Sequence, residues 1–137
     1  GFDMKEELRE YLQSLGYEVV DHGAFEFDED DDYPDFIQPV ADAISRDTDK
    51  LSKGIVIGGS GQGEAIVANR FANVRAIVYY GGNDEIIPLS REHNDANILS
   101  LGARFISNDE AKEVVETWLE TAFSGEDRHA RRINKID

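Results

Sequence analysis

Residues Lys53 to Arg70, KGIVIGGSGQGEAIVANR, narrow the possible folds of this chain more than any other stretch. Gly54-Ile55-Val56-Ile57 is a short apolar, β-branched run of the kind that forms a fully buried strand. It leads directly into Gly58-Gly59-Ser60-Gly61-Gln62-Gly63, after which Glu64 to Arg70 reads as a helix. A glycine-rich turn between a buried strand and a helix leaves backbone N–H groups unpaired and pointing outward, and the helix dipole adds positive potential there. The turn suits a phosphate or a developing oxyanion, with Glu64 beside it in the first helical turn as a candidate general base. A plainer reading stays open: glycines for a tight turn, and an acidic residue of the kind any helix start favours. G-G-S-G-x-G matches neither a P-loop, which requires Gly-Lys-Ser/Thr, nor a complete dinucleotide fingerprint.

A strand–turn–helix unit needs a sheet around it, and 137 residues suffice for one domain, 1–137, but not two. Asp3 and Glu6 have the spacing of a capping box. Leu8, Tyr11, Leu12 and Leu15 then share a helical face, with Gly16 as C-cap. Tyr17 to Val20 reads as a short strand, and the acidic, aromatic run from Gly23 to Asp32 as a loop. Pro34 suits the start of a helix whose Phe36, Ile37, Val40, Ala41 and Ile44 form its buried stripe. Beyond the central unit, Val74 to Tyr80 is another buried strand, broken by Gly81-Gly82. Asp84 to Asn94 is mostly helical, with Pro88 marking a late start or a kink. Asn97 to Leu101 is a strand. Asn108 or Asp109 caps a helix with Val114, Val115, Trp118, Leu119 and Ala122 on one face, and Asp127 to Ile136 is a basic amphipathic helix with Ile133 and Ile136 apolar. Helices alternating with short apolar strands predict an α/β fold with a parallel sheet. The chain opens on a helix, so a doubly wound sheet lacks its first strand.

The formal net charge of −15 argues against nucleic acid and anionic membrane as partners. An anionic ligand would need a local cluster of cations. Arg128, Arg131, Arg132 and Lys135 supply one: Arg128 and Arg132, at i and i+4, share a face and can grip a phosphate. Cations are also simply favoured near a helix C-terminus. Arg104, just after the last core strand, is a further phosphate candidate. His93 lies in a dense polar run, Ser90 to Asn97, where it serves either as a helix C-cap or as an acid/base group. His22 and His129 have weaker cases; His129 sits among arginines that lower its proton affinity. The absence of cysteine excludes disulfides and thiolate chemistry and makes a cytoplasmic location the default. No apolar run approaches the roughly 18 residues that span a bilayer, and no signal peptide is expected.

Taken together, these segments resemble the ribose-5-phosphate isomerase B / galactose-6-phosphate isomerase family. The matching pieces are Gly1-Phe2 with Lys5-Glu6 and Leu8, Asp32-Tyr33-Pro34-Asp35, and Ile57 to Glu64. Ala68-Asn69, Arg91 to Asn97, Leu101 to Arg104 and Arg128 to Ile133 follow in the family's order. The resemblance implies a flavodoxin-like, three-layer α/β/α fold, and a homodimer or tetramer with active sites between subunits. It implies aldose–ketose isomerisation of a sugar phosphate through an enediolate, with no metal and no cofactor. One branch of the family carries a cysteine base where Gly58 stands here; the other uses a glutamate six residues on, the position of Glu64. By the same resemblance Glu64 moves the proton between C2 and C1. The backbone of Gly59, Ser60, Gly61, Gln62 and Gly63, with the Ser60 hydroxyl, holds the enediolate oxygens. His93 opens the furanose ring, Asn94 binds a sugar hydroxyl, and Arg104, Arg128 and Arg132 bind the phosphate. Ribose 5-phosphate is the first choice of substrate, ahead of galactose 6-phosphate, allose 6-phosphate or a tetrose phosphate; a non-catalytic sugar-phosphate-binding domain is the rival of another class. The family also implies a central strand ending in an Asp-His pair immediately before the segment matched by Gly1-Phe2. These 137 residues do not include it, so the native protein is expected to start earlier or this version to be incomplete. Tyr79 to Glu85 is longer and richer in glycine than the family pattern and is expected to line the sugar pocket.

Overall fold

The computed structural model describes residues 2–22 and 32–137. All but Asp32 of the acidic loop expected over Gly23 to Asp32 lies outside them. In chain order the elements are α1 (Phe2–Ser14), α2 (Pro34–Arg46), β1 (Gly54–Gly58), α3 (Gln62–Ala68), β2 (Ala76–Tyr79), α4 (Ile86–Asn94), β3 (Ile98–Gly102), α5 (Asn108–Glu120) and α6 (Asp127–Ile136). The three strands are parallel, in the order β1-β3-β2. Gly54 and Ala76 both register with Ile98, from opposite sides. β3 is therefore paired along both edges, and every one of its residues is buried.

Successive side chains of a strand point to opposite faces, and the core follows that alternation. Leu99 and Leu101 join Tyr79, Ile55 and Ile57 against Met4, Leu8 and Leu12 of α1 and Val114, Val115 and Trp118 of α5. Ile98 and Val56 point the other way, onto Ile37, Ala41 and Ile44 of α2 and Ala68 of α3. Helices cover both faces, which is the doubly wound, flavodoxin-like α/β arrangement expected. The Tyr79 hydroxyl donates to Glu110 Oε2 at 2.6 Å, and burial with that neighbour pushes its pKa up to about 12, so it stays a donor.

Local signals are realised with some corrections. α1 ends in a Schellman motif: Tyr17 N donates to Leu12 O, Gly16 N to Gln13 O, and Gly16 has φ of +94°. Its start is less sharp than a capping box, because the helix begins at Phe2 and Asp3 lies inside the first turn. Leu15 is exposed, since the core-facing stripe is Met4, Leu8 and Leu12. Pro88 is the third residue of α4, so it marks a late start and not a kink. Ser107 caps α5, one residue before the expected cap, accepting from Glu110 N at 3.1 Å. Ala122 falls beyond the end of that helix. Tyr17 to Val20 is not a strand: Val19 packs against the core and Val20 faces out, but no strand among the described residues lies beside them to complete a ladder. Alternation alone does not make a strand without a hydrogen-bonding partner.

Leu99→Ala is expected to cost about 2–5 kcal/mol in denaturant unfolding, through loss of burial plus a cavity. Val20 is 69% exposed, and Val20→Ala is expected to stay within about 0.5 kcal/mol. A Val20 cost comparable to that of Leu99 would mean that the segment is held as a strand after all.

Candidate active site

Parallel strands all end at one edge of the sheet, and in open α/β sheets ligands bind outside that carboxyl edge. Here β1 leads into the glycine-rich loop, β2 into Tyr80-Gly81-Gly82, and β3 into Ala103-Arg104. Ala103 N donates to Gly58 O at 2.7 Å and Arg104 N to Gly59 O at 3.0 Å, so pairing continues past the strands. Gly61 adopts a left-handed conformation, φ +80°, that starts α3. The buried Ser100 hydroxyl donates to Gly61 O at 2.6 Å and anchors the turn from beneath.

Three loop glycines each make room for one side chain. The Glu64 carboxylate lies over Gly58, in the volume that a Cβ at Gly58 would occupy. Glu64 is 7% exposed, unusually little for a carboxylate. At Gly59 a Cβ would stand 3.0 Å from Arg104 Nη2, and at Gly63 2.5 Å from the Tyr33 hydroxyl. The Ser60 hydroxyl accepts from Gln62 N at 3.3 Å. The backbone N–H groups of Ser60, Gly61 and Gly63 have no acceptor among the described residues. The loop, Glu64, Arg104 and Tyr33 thus form one group, in which Tyr33 was not singled out for a role from sequence. Its place at the start of a proline-initiated helix gives no hint that it reaches a glycine thirty residues on.

His93 and Asn94 belong to a second group at the other edge of the sheet. α4 runs back along the strands and ends where Asn97 O accepts from Gly54 N and Arg75 O from Asn97 N. Arg75 Nε donates to Asp95 O at 2.9 Å, while Arg91 donates to Asp95 and to Ala96 O, which fixes the turn after His93. α6 packs here too: the His93 and His129 rings stack with centroids 4.4 Å apart and planes 14° apart. Arg75 also holds Asp137, just past the end of α6, at 3.0 Å. Arg128 and Arg132 are exposed on this helix, Arg128 pairing with Glu126 at 3.2 Å. His129 Nε2 lies 3.2 Å from Glu126 Oε2 without hydrogen-bond alignment, leaving a buried nitrogen unsatisfied.

A five-residue strand rises roughly 15 Å, so within one chain Glu64 and His93 stand a strand's length apart. The fold brings Arg104 to Glu64, and places Asn94, Arg128 and Arg132 with His93. Among the described residues no three His, Asp or Glu side chains converge to hold a metal, and no helix is long and apolar enough to cross a membrane. A cavity of about 330 Å³ between α4 and α5 is lined by Asp84, Glu113, Glu116 and Glu120, a charge that repels phosphate.

The parallel three-layer fold with its glycine-rich carboxyl edge defines a doubly wound α/β protein of the flavodoxin-like type. Residues 1–136 match the family described as Ribose/Galactose Isomerase, and the chain belongs to that family. It is 39% identical over 134 residues to ribose-5-phosphate isomerase B of Mycolicibacterium paratuberculosis, covering 98% of this chain and 82% of that one. With the Escherichia coli protein of the same name it shares 38% identity over 136 residues, 99% of this chain and 87% of the relative. Its fold superposes on the Mycoplasma genitalium ribose-5-phosphate isomerase B solved with bound ribulose-5-phosphate at a TM-score of 0.93 and 38% identity, over 99% of this chain and 87% of that one.

Burial, reinforced by the charges of His93 and Arg128 and opposed by Glu126, holds the His129 pKa below the ordinary histidine value. The unfolded chain therefore takes up this proton more readily than the folded one. The stabilising contribution is intact above the ordinary histidine range and is lost as pH falls through the lowered folded value. Melting temperature should drop between about pH 7 and about pH 5, and less steeply in His129→Phe. Equal slopes in calorimetry of the two proteins would remove His129 from that dependence.

Proposed function

We propose that this protein is an aldose–ketose isomerase that interconverts ribose 5-phosphate and ribulose 5-phosphate by proton transfer through an enediolate, without metal or cofactor. The observation that carries this reading is the Glu64 carboxylate, buried over Gly58 at the mouth of a loop with unpaired N–H groups. A base meant to reach carbon needs a fixed position and little water around it, and Glu64 has both. It occupies the volume into which the cysteine of the family's other branch would project, so the two kinds of base act on one spot.

In this mechanism His93 donates a proton to the ring oxygen as the C1–O4 bond breaks, and the anomeric hydroxyl gives up its proton to water as the C1 aldehyde forms. Glu64 then takes the proton from C2 and returns it to C1, while the hydroxyl proton moves from O2 to O1. Negative charge developing on those oxygens is met by the N–H groups of Gly59 to Gly63 and by the Ser60 hydroxyl; each such donor is typically worth about 10²–10³ in rate. Asn94 binds a sugar hydroxyl. Arg104, Arg128 and Arg132 hold the phosphate and fix the carbon chain against Glu64.

The separation of Glu64 from His93 within one chain supports a site shared between subunits. Glu64, the loop and Arg104 come from one subunit, and His93, Asn94, Arg128 and Arg132 from its partner. The assembly is a homodimer, or a tetramer built from such dimers, with residues 1–137 acting as one sugar-phosphate isomerase domain in the cytoplasm.

Glu64→Gln is expected to lower kcat on ribose 5-phosphate by about 10²–10⁴ while calorimetry still detects ligand binding. Full turnover in this variant would end the proton-transfer reading, and a wild type that binds but turns nothing over would make the protein a binding domain. Glu64→Gln and His93→Asn, each strongly impaired alone, should recover about a quarter of wild-type turnover when unfolded and refolded together, because about half of the dimers are mixed and one of the two sites in each of these is intact. No recovery would place both residues in a site built by one subunit.

A further inference from the structure

We propose that His129 is a positioning residue, its buried ring forming the platform that holds the His93 imidazole in the plane from which it reaches the ligand. The proposal rests on the reading of His93 as the ring-opening acid. The two rings lie 4.4 Å apart and 14° from parallel, and His129 is 5% exposed while His93 is only half-buried. Neither His93 nitrogen has a hydrogen-bond partner among the described residues, so no hydrogen bond orients the ring, and the stack on His129 is the ring contact that does. His93 also lies in the last turn of α4, beside Asp95 in a left-handed conformation, where the helix gives a side chain little lateral support.

The platform itself is well held. Ser124 N donates to Glu92 O at 3.1 Å, tying the approach to α6 onto α4, and Arg75 grips Asp137 at the far end. Ile133, one turn beyond His129, is buried. The charged groups facing His129 are His93 from α4, Arg128 and Arg132 on its own helix, and Glu126 at the helix cap. Burial and the neighbouring cations disfavour a charge on the His129 ring, so the ring meets His93 as a flat face. The unsatisfied Nε2 indicates that this slot uses the ring's flat face and not its hydrogen-bonding capacity.

The test is steady-state kinetics on the full protein with ribose 5-phosphate. His129→Ala is expected to lower kcat about tenfold or more, with KM moving less than about twofold because phosphate binding is untouched. His129→Phe, which keeps a flat ring, is expected to recover most of that loss. If His129→Ala does not fold, His129→Leu fills the slot without a flat face and carries the same expectation. In a His93→Asn background, removing the His129 ring is expected to cost nothing further. Undiminished loss in that background would make the role merely structural, and wild-type kcat in both His129→Ala and His129→Leu would overturn the proposal while leaving His93 in place. Wild-type kcat in His93→Asn would instead bring down the reading of His93 and this proposal with it.

Discussion

Parallel pairing of β1 and β2 onto the wholly buried β3 is the constraint from which the rest of this structure follows. Because the strands point the same way, each must be followed by a helix that returns along the sheet. Every strand end then gathers at one edge and every helix end at the other. The glycine-rich loop and Arg104 stand at the first edge; Asp95, Arg75 and the turn after His93 stand at the second. One topological fact thereby divides the candidate site residues into two groups at opposite edges of the sheet.

The loop after β1 shows how small residues can serve chemistry through what they leave open. Gly58, Gly59 and Gly63 border the Glu64 carboxylate, the Arg104 guanidinium and the Tyr33 ring in turn. A Cβ at any of them would meet that neighbouring side chain first. Ser100 sits under the same turn and sends its hydroxyl to Gly61. It is the polar interruption in an otherwise apolar strand, and it links the best-packed part of the core to the loop.

The second group depends on charge more than on packing. Arg75 and Arg91 converge on Asp95, and Arg75 continues to Asp137, so two helix ends and the start of a strand are held by one ionic network. Their side chains are mostly buried, which makes these pairs more consequential than exposed ones such as Arg46–Asp42. The network carries α6 against α4 and brings His129 onto His93. In a chain with a net charge of −15, this edge and the adjoining face of α6 collect a cluster of cations, Arg75, Arg91, Arg128 and Arg132.

The sequence alone determined the local elements and the class of fold. Buried strands read as apolar runs, the Pro34 helix as a stripe at helical spacing, and the end of α1 as a glycine, because each depends on neighbours a few residues away. It also determined which residue types could carry chemistry. Only the tertiary structure decided where they meet: Glu64 over Gly58, Tyr33 on Gly63, His129 on His93, and Glu64 far from His93. It also decided that Tyr17 to Val20 alternates without becoming a strand. Pattern within a segment reports which face is apolar, whereas ladders, stacks and close approaches need a partner that the segment does not contain, and only the folded chain brings that partner in.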